Sequence, residues 1–319
     1  MVGSVPIAGA RSKDSTFMSL FDRFISSTLP FIPKPVVRVI ANPYIAGETI
    51  DDLLTSITQL NADGCIAAAG MLGEFIEDRP AATEVVREYE EVLDAIQQQQ
   101  LDSNIHVKPT HLGLKLDKEF CYQNIRRLAQ AARAHKNFLR IDTEDASCVD
   151  GTLDIHARLH EEFDNVGAVV QAYLRRSPSI VRGLTKIKAN VRLCKGVYIE
   201  SSAIAHQERK VIQDNYTSLL EELLSAGCYV GIATHDEKLV WEAFRIIDRL
   251  GLDPSQYEFQ MLLGVGGSLR RGILEAGHRL RVAVPFGAEW YPYSIRRLRK
   301  NPTIARHVLK AIVSRERWA

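Results

Sequence analysis

Short apolar runs alternate along the chain with longer amphipathic stretches, in which apolar positions recur at every third or fourth residue. The short runs are CIAAAGM (65–71), NIHVKPT (104–110), NFLRIDT (137–143), GAVVQAYL (167–174), NVRLCKG (190–196), YVGIATH (229–235), YEFQMLL (257–263) and LRVAVPFG (280–287). They predict eight strands. Segments such as PAATEVVREYEEVLDAIQ (80–97) and DEKLVWEAFRIIDRLG (236–251) predict the helices between them. Eight β-then-α units in series predict a (β/α)8 barrel, with a doubly wound open sheet as the alternative.

The first residues follow another pattern. Residues 1–15 read as a disordered lead, and Phe17, Leu20, Phe21 and Phe24 then recur at helical spacing. Pro30, Pro33 and Pro35 end that helix. A further helix opens near Glu48, in GETIDDLLTSITQL. The expected organisation is an N-terminal helical arm over 1–62 and a barrel over 63–319.

Strand parity adds chemistry to this outline. Ile105 and Val107 share one face of their strand, and His106 and Lys108 the other. Leu139 and Ile141 likewise oppose Arg140 and Asp142, and Val191 and Leu193 oppose Arg192 and Cys194. The apolar faces suit packing under helices. The charged faces then point into the barrel, where charges are costly unless paired or used. Lys108, Asp142 and Arg192 lie toward the C-terminal ends of their strands, where barrel enzymes build their sites. Two readings of them stand open: a polar floor for an anionic substrate or cofactor, and an ion-pair plug.

Composition narrows the classes. The chain has 319 residues, 25% charged and 46% hydrophobic, with a formal net charge of +1. That is ordinary globular usage and argues against disordered, collagen-like and coiled-coil chains. No basic excess points to nucleic acid. No stretch reaches the ~18 apolar residues of a membrane span, and the N-terminus lacks a signal-peptide core. The five cysteines include no CxxC pair, which suggests buried thiols in a reducing compartment. The expected location is the cytoplasm.

Several short segments have two readings. WYPYSIRRLRK (290–300) places Arg296 and Arg297 together, suited to a carboxylate or phosphate, but a basic surface helix reads the same way. GVGGSLRRG (264–272) lacks G-x-G-x-x-G spacing and reads as a flexible βα loop. Thr234 and His235 end a strand, and no second ligand at metal spacing accompanies the histidine, so no metal site is expected. There is no GxSxG elbow and no HExxH. Glu144 and Asp145 read as acids at the start of the next helix.

Eight segments together resemble one family. GMLGE (70–74), VKPTHLG (107–113), LRIDTEDA (139–146), VVQAYLRR (169–176), VRLCKGVYIE (191–200), IATHD (232–236), YEFQMLLG (257–264) and VPFGAEWYPYSIRRL (284–298) run in the order found in proline dehydrogenases, across about 250 residues. RLxKGxY and the Tyr-x-x-Arg-Arg helix are the most specific of them.

The resemblance implies a distorted (β/α)8 barrel holding FAD without a covalent link. It implies oxidation of L-proline to Δ1-pyrroline-5-carboxylate, the first step of proline catabolism, with electrons passed to a quinone. Carried over position by position, Asp142 and Arg192 match the active-site acid and the flavin-facing arginine. Lys108, Leu262, Tyr293, Arg296 and Arg297 match substrate contacts. Thr143, Gln171, Arg192, Lys195, Gly196, Val197, Thr234 and His235 match FAD contacts. Glu74 matches a gate residue that pairs with the arginine at 296, and Lys108 and Asp142 are expected as a coupled pair. Two positions depart from the family pattern: Ala283, where proline-using members usually have tyrosine, and Lys300, where most have glutamate. Oxidation of hydroxyproline or another cyclic imino acid is the alternative activity, and a non-catalytic flavin-binding barrel the alternative of another class. Two readings of the 17–24 stripe and the basic 303–318 segment stand open: packing against the barrel, and, since a quinone is to be reduced, contact with the surface of the inner membrane, mitochondrial in a eukaryote. A homo-oligomer is left open.

Overall fold

Capping residues set where the helices begin. In the computed structural model, which describes residues 34–300, Thr49 caps the helix Ile50–Ala62 and shares a capping box with Asp52. Asp78 caps Arg79–Gln98 through the Ala81 amide. Asp117 caps Lys118–Ala134 through the amides of Glu119 and Phe120. The helix Glu237–Leu250 stops at Gly251, whose φ of 61° is the left-handed conformation favoured by glycine at a helix end.

The eight strands are β1 (Ile66–Met71), β2 (Ser103–Val107), β3 (Leu139–Ile141), β4 (Val166–Gln171), β5 (Asn190–Cys194), β6 (Val230–Ala233), β7 (Tyr257–Leu262) and β8 (Leu280–Phe286). All neighbours pair in parallel, and β8 returns to β1, so the sheet closes into a barrel. We number the helices α1 (Lys34–Ala41), α2 (Ile50–Ala62), α3 (Arg79–Gln98), α4 (Lys118–Ala134), α5 (Val149–His160), α6 (Ser177–Lys186), α7 (Arg209–Ser225), α8 (Glu237–Leu250), α9 (Gly267–Glu275) and α10 (Trp290–Lys300). The apolar strand faces, including Ile105, Val107, Leu139, Ile141, Val191 and Leu193, are fully buried in one core with the helices.

The chain divides by contacts into two units, Pro43–Glu289 and a second made of 1–42 with 290–319. This cut differs from the expected arm over 1–62. Helix α2 packs on β1 and β8 and buries Leu53, Leu54, Ile57 and Leu60 in the barrel core. In the second unit, α1 and α10 pack on each other, with Lys34 over the Tyr291 ring and Arg38 over that of Trp290. The expected 17–24 helix and the 303–318 segment lie outside the described residues. GVGGSLRRG is more ordered than a flexible loop. Gly264 and Gly266 take positive φ in the turn, and helix α9 begins at Gly267. Among the described residues no helix is long and apolar enough to cross a membrane. All five cysteines are free, and only Cys194 is not fully buried.

Candidate active site

Small residues on some strands make room for long polar ones on their neighbours. A Cβ at Gly70 would lie 2.0 Å from His106 Nε2, one at Gly167 would lie 2.4 Å from Arg140 Nη1, and one at Gly231 would lie 2.4 Å from Gln260 Nε2. Each glycine is thus a notch in the barrel wall, filled by a polar side chain from the adjacent strand.

Those side chains form two linked layers. The lower one uses the N-terminal lumen positions. Arg281 grips Glu258 through two hydrogen bonds, of 2.7 and 3.0 Å. It also donates to Ala67 O and Asn104 Oδ1, and Tyr229 OH donates to Glu258 at 2.9 Å. Burial works to raise the Glu258 carboxyl, but Arg281 outweighs it and holds it low. Arg140, also buried, donates to the carbonyls of Ala168 and Asn190 and to the Asn190 side chain.

Gln260 joins the layers. Its amide donates to Glu258 Oε1 at 2.6 Å, and its Oε1 accepts from Arg192 Nε at 2.6 Å. Arg192 Nη1 donates to Asp142 Oδ1 at 2.6 Å, and His106 Nδ1 meets Asp142 Oδ2 at 2.8 Å. Burial alone would raise the Asp142 carboxyl. Arg192, His106 and Lys108 outweigh it and hold the group far below the usual carboxylate range. Asp142 is therefore an anion at neutral pH.

Toward the strand ends, Lys108 Nζ lies 3.3 Å from Glu74 Oε1 and 3.3 Å from Gly73 O. Thr143 Oγ1 donates to Val169 O. Gln171 donates to Glu144 O, while its Oε1 is buried without a partner. Lys195 pairs with Asp236, which Gln213 and Arg209 also bind. Burial opposes the charge on Asp236, yet these donors lower its pKa to about 2. Gly196 has a φ of 105°, and a Cβ there would strike the Tyr173 ring at 2.1 Å. Val197 beside it is exposed. Thr234 Oγ1 accepts from the Asp236 amide, and His235 Nε2 accepts from the Leu262 amide. Among the described residues no three His, Cys, Asp or Glu side chains form a metal-binding group.

The family model described as Proline dehydrogenase matches residues 53–309. The chain belongs to the proline dehydrogenase family. It is similar to Proline dehydrogenase 1 of Bacillus subtilis (strain 168), 33% identical over 278 residues that cover 87% of this chain and 92% of the relative. It is also similar to the Proline dehydrogenase of Deinococcus radiodurans, 30% identical with 86% and 90% covered. The Bifunctional protein PutA of Salmonella typhimurium is 26% identical over 85% of this chain, which spans 24% of that longer protein. Among solved structures, a proline utilization A from Bdellovibrio bacteriovorus inactivated by N-propargylglycine has a TM-score of 0.80 at 21% identity. It covers 90% of this chain, which spans 37% of that one.

Two expectations gain detail in the structure, the coupling of Lys108 with Asp142 and the place of Glu144. Lys108 and Asp142 share no hydrogen bond; they act on each other through space, while Asp142 bonds Arg192 and His106, and Lys108 bonds Glu74 and Gly73. The lysine emerges beyond the last residue of β2, high enough to meet the β1–α3 loop. Glu144 is not a helix-end charge. It is 1% exposed, and it accepts from Thr110 N at 2.9 Å and from Thr110 Oγ1 at 2.5 Å. Burial raises its carboxyl to about 7 against those two bonds. Thr110 in turn binds the amide of Phe75 through its hydroxyl and that of Ile76 through its carbonyl, so Glu144 supports the loop that carries Glu74.

Tyr293, Arg296 and Arg297 lie on α10, in the other unit. The side chains of Arg296, Arg297 and Lys300 lie outside the described residues, and with them the expected Glu74–Arg296 gate. Sequence reasoning passed over His106, Gln260 and Tyr198. The first two shared a strand face with assigned residues. Tyr198 sits inside the quoted VRLCKGVYIE segment, and burial, with Glu74 and Glu144 nearby, raises its phenol well above the usual value.

Proposed function

We propose that the protein is an oxidoreductase that uses FAD to oxidise L-proline to Δ1-pyrroline-5-carboxylate and passes the electrons to a quinone, opening proline catabolism. The observation that carries this reading is the Gln260–Arg192–Asp142–His106 row at the strand ends of a barrel in this family. A plug needs only mutual neutralisation, as Glu258 and Arg281 achieve below. The upper layer keeps further polar atoms at its edge.

Those atoms fit a flavin. The ring system offers one imide N–H donor and several acceptors. Gln171 Oε1 is a buried acceptor lacking a donor. Arg192 and Lys195 are cations for the acceptor edge. Residues suited to hold the cofactor are thus Gln171, Arg192 and Lys195, with Thr143, Gly196, Val197, Thr234 and His235 on the family match. Bound FAD would supply the hydride acceptor and the route by which electrons leave.

The chain's own residues do the rest. Arg192 places fixed positive charge where electron uptake adds negative charge. The Asp142 anion and the Lys108 cation bias the protonation of the substrate amine, and the loop around Glu74 restricts water. Arg296 and Arg297 are assigned the carboxylate by the family match, with Tyr293 and Leu262 along the ring.

Anaerobic titration tests the proposal. Purified protein is expected to be yellow and to bleach with L-proline, then recover its colour with a quinone. Yellow protein that no imino acid bleaches would make it a binding barrel instead. One observation favours a second substrate. Ala283 stands in register with Ala68 and Leu262 on the lumen side of β8 and is partly exposed. A methyl group there leaves room for a ring hydroxyl, so trans-4-hydroxy-L-proline is expected to bleach the flavin as well.

A further inference from the structure

His106 lies on the lumen face of β2 and has so far been given no role in the reaction. Its Nδ1 faces Asp142 Oδ2 at 2.8 Å, while the other carboxylate oxygen accepts from Arg192 at 2.6 Å. A carboxylate only accepts, so Nδ1 carries the hydrogen. Nε2 is buried without a hydrogen-bond partner and lies against the Gly70 notch. A second hydrogen there would be a buried donor with nothing to receive it. The imidazole is therefore neutral, in the Nδ1–H tautomer. Burial favours that form, against the pull of Asp142. The groups facing the ring are Asp142 just past β3, Arg192 from β5, Lys108 just past β2 and the Gly70 backbone from β1. Tyr89 of α3 donates to the His106 carbonyl rather than to its ring.

A carboxylate held at one oxygen can turn about its own bond. Held at both, from β2 and from β5, it cannot. Arg192 is gripped the same way, by Asp142 at Nη1 and Gln260 at Nε. The row is a chain of two-point grips with His106 at its end.

We propose that His106 is a positioning residue for oxidation of the imino acid: its Nδ1–H pins Asp142, which in turn fixes the Arg192 guanidinium at the barrel mouth. The role rests on the reaction proposed above. One ring nitrogen of His106 is taken up by Asp142 and the other lies in the Gly70 notch, so it acts through Asp142 and its loss is expected to affect turnover rather than affinity.

Two variants and one spectrum test this on the flavin-loaded protein. His106→Leu removes the donor, and His106→Asn keeps an amide N–H at the Nδ1 position. Stopped-flow reduction by L-proline, counted per bound flavin, is expected to slow about 10–100-fold in His106→Leu, the loss of one hydrogen bond to a charged group. Half-saturation should change little, and His106→Asn should return to within about threefold of wild type. Counting per flavin separates this from a folding defect, which lowers flavin content instead. In 15N-histidine protein, the His106 signal, assigned by its loss in His106→Asn, should show a protonated Nδ1 and a bare Nε2. A wild-type rate in His106→Leu, no recovery in His106→Asn, or a protonated Nε2 would each overturn the role. If wild-type flavin is not bleached by proline, the reaction falls and this role with it, while the nitrogen shifts still report the grip on Asp142.

Discussion

The two layers inside the barrel use the same residue types to opposite ends. In the lower one, Glu258 is 1% exposed and receives both donors of the Arg281 fork, the Tyr229 hydroxyl and the Gln260 amide. In the upper one, Asp142 and Arg192 are also paired, but Gln171 Oε1 is buried without a partner, and Lys108 reaches the strand ends. A network satisfied within itself has nothing left with which to bind. A network with open positions costs stability and gains a ligand in return. The difference separates a plug from a site more reliably than the presence of charge does.

The most damaging way to probe the contrast is Glu258→Leu. It strands Arg281 as a buried cation, and urea unfolding is expected to reveal a loss of about 3–5 kcal/mol. Arg192→Met acts on the upper layer. Its flavin reduction by proline should fall roughly 100–1000-fold, while unfolding loses only about 1–3 kcal/mol. If Arg192→Met unfolds as readily as Glu258→Leu and its bound flavin still reacts at the wild-type rate, the two layers do not differ in kind.

Glu144 gives a smaller effect with a definite sign. Its carboxyl sits near 7 in the folded chain against an ordinary 4.5, so the fold holds its proton more tightly than the unfolded chain does. The contribution favouring the fold is complete below 4.5 and is lost as pH rises through about 7. Asp142 and Glu258, held low, run the other way and lose theirs as pH falls. The stability of Glu144→Gln relative to wild type should therefore climb by up to about 3 kcal/mol between pH 4.5 and 7.5. A difference that stays flat with pH would mean the carboxyl is not held protonated.

The smallest expected change is at Ala283. Ala283→Tyr refills the wall and should shift the kcat/KM ratio of proline over trans-4-hydroxy-L-proline roughly tenfold toward proline. An unchanged ratio would remove this position from the substrate pocket.

The sequence made the barrel legible because eight short apolar runs stand between amphipathic stretches, and alternation in three of them separated Ile105 from His106 and Leu193 from Arg192. It overran the strand ends. NIHVKPT and YVGIATH keep their pattern past Val107 and Ala233, where the ladder ends and the chain turns into loops. That overrun holds Lys108 and Thr234, since the positions that leave the sheet are those free to face a ligand. Glu144 was misread because its partner, Thr110, is 34 residues away and meets it only once β2 and β3 pair. The His106–Asp142 contact was hidden in the same way: parity placed both in the lumen, but adjacency needs register.

The glycine notches bear on how such a barrel can change over generations. A side chain at Gly70 would press on the His106 ring, and one at Gly231 on the Gln260 amide, so in each case the neighbour would have to turn away from its partners, Asp142 in the first and Glu258 and Arg192 in the second. Ala283 carries no such lock among the described contacts, since Ala68 and Leu262 flank it and neither fills a notch at that position. A single substitution there meets no such obstacle, so on the proposed reading the ring substituent accepted could change without disturbing the polar row.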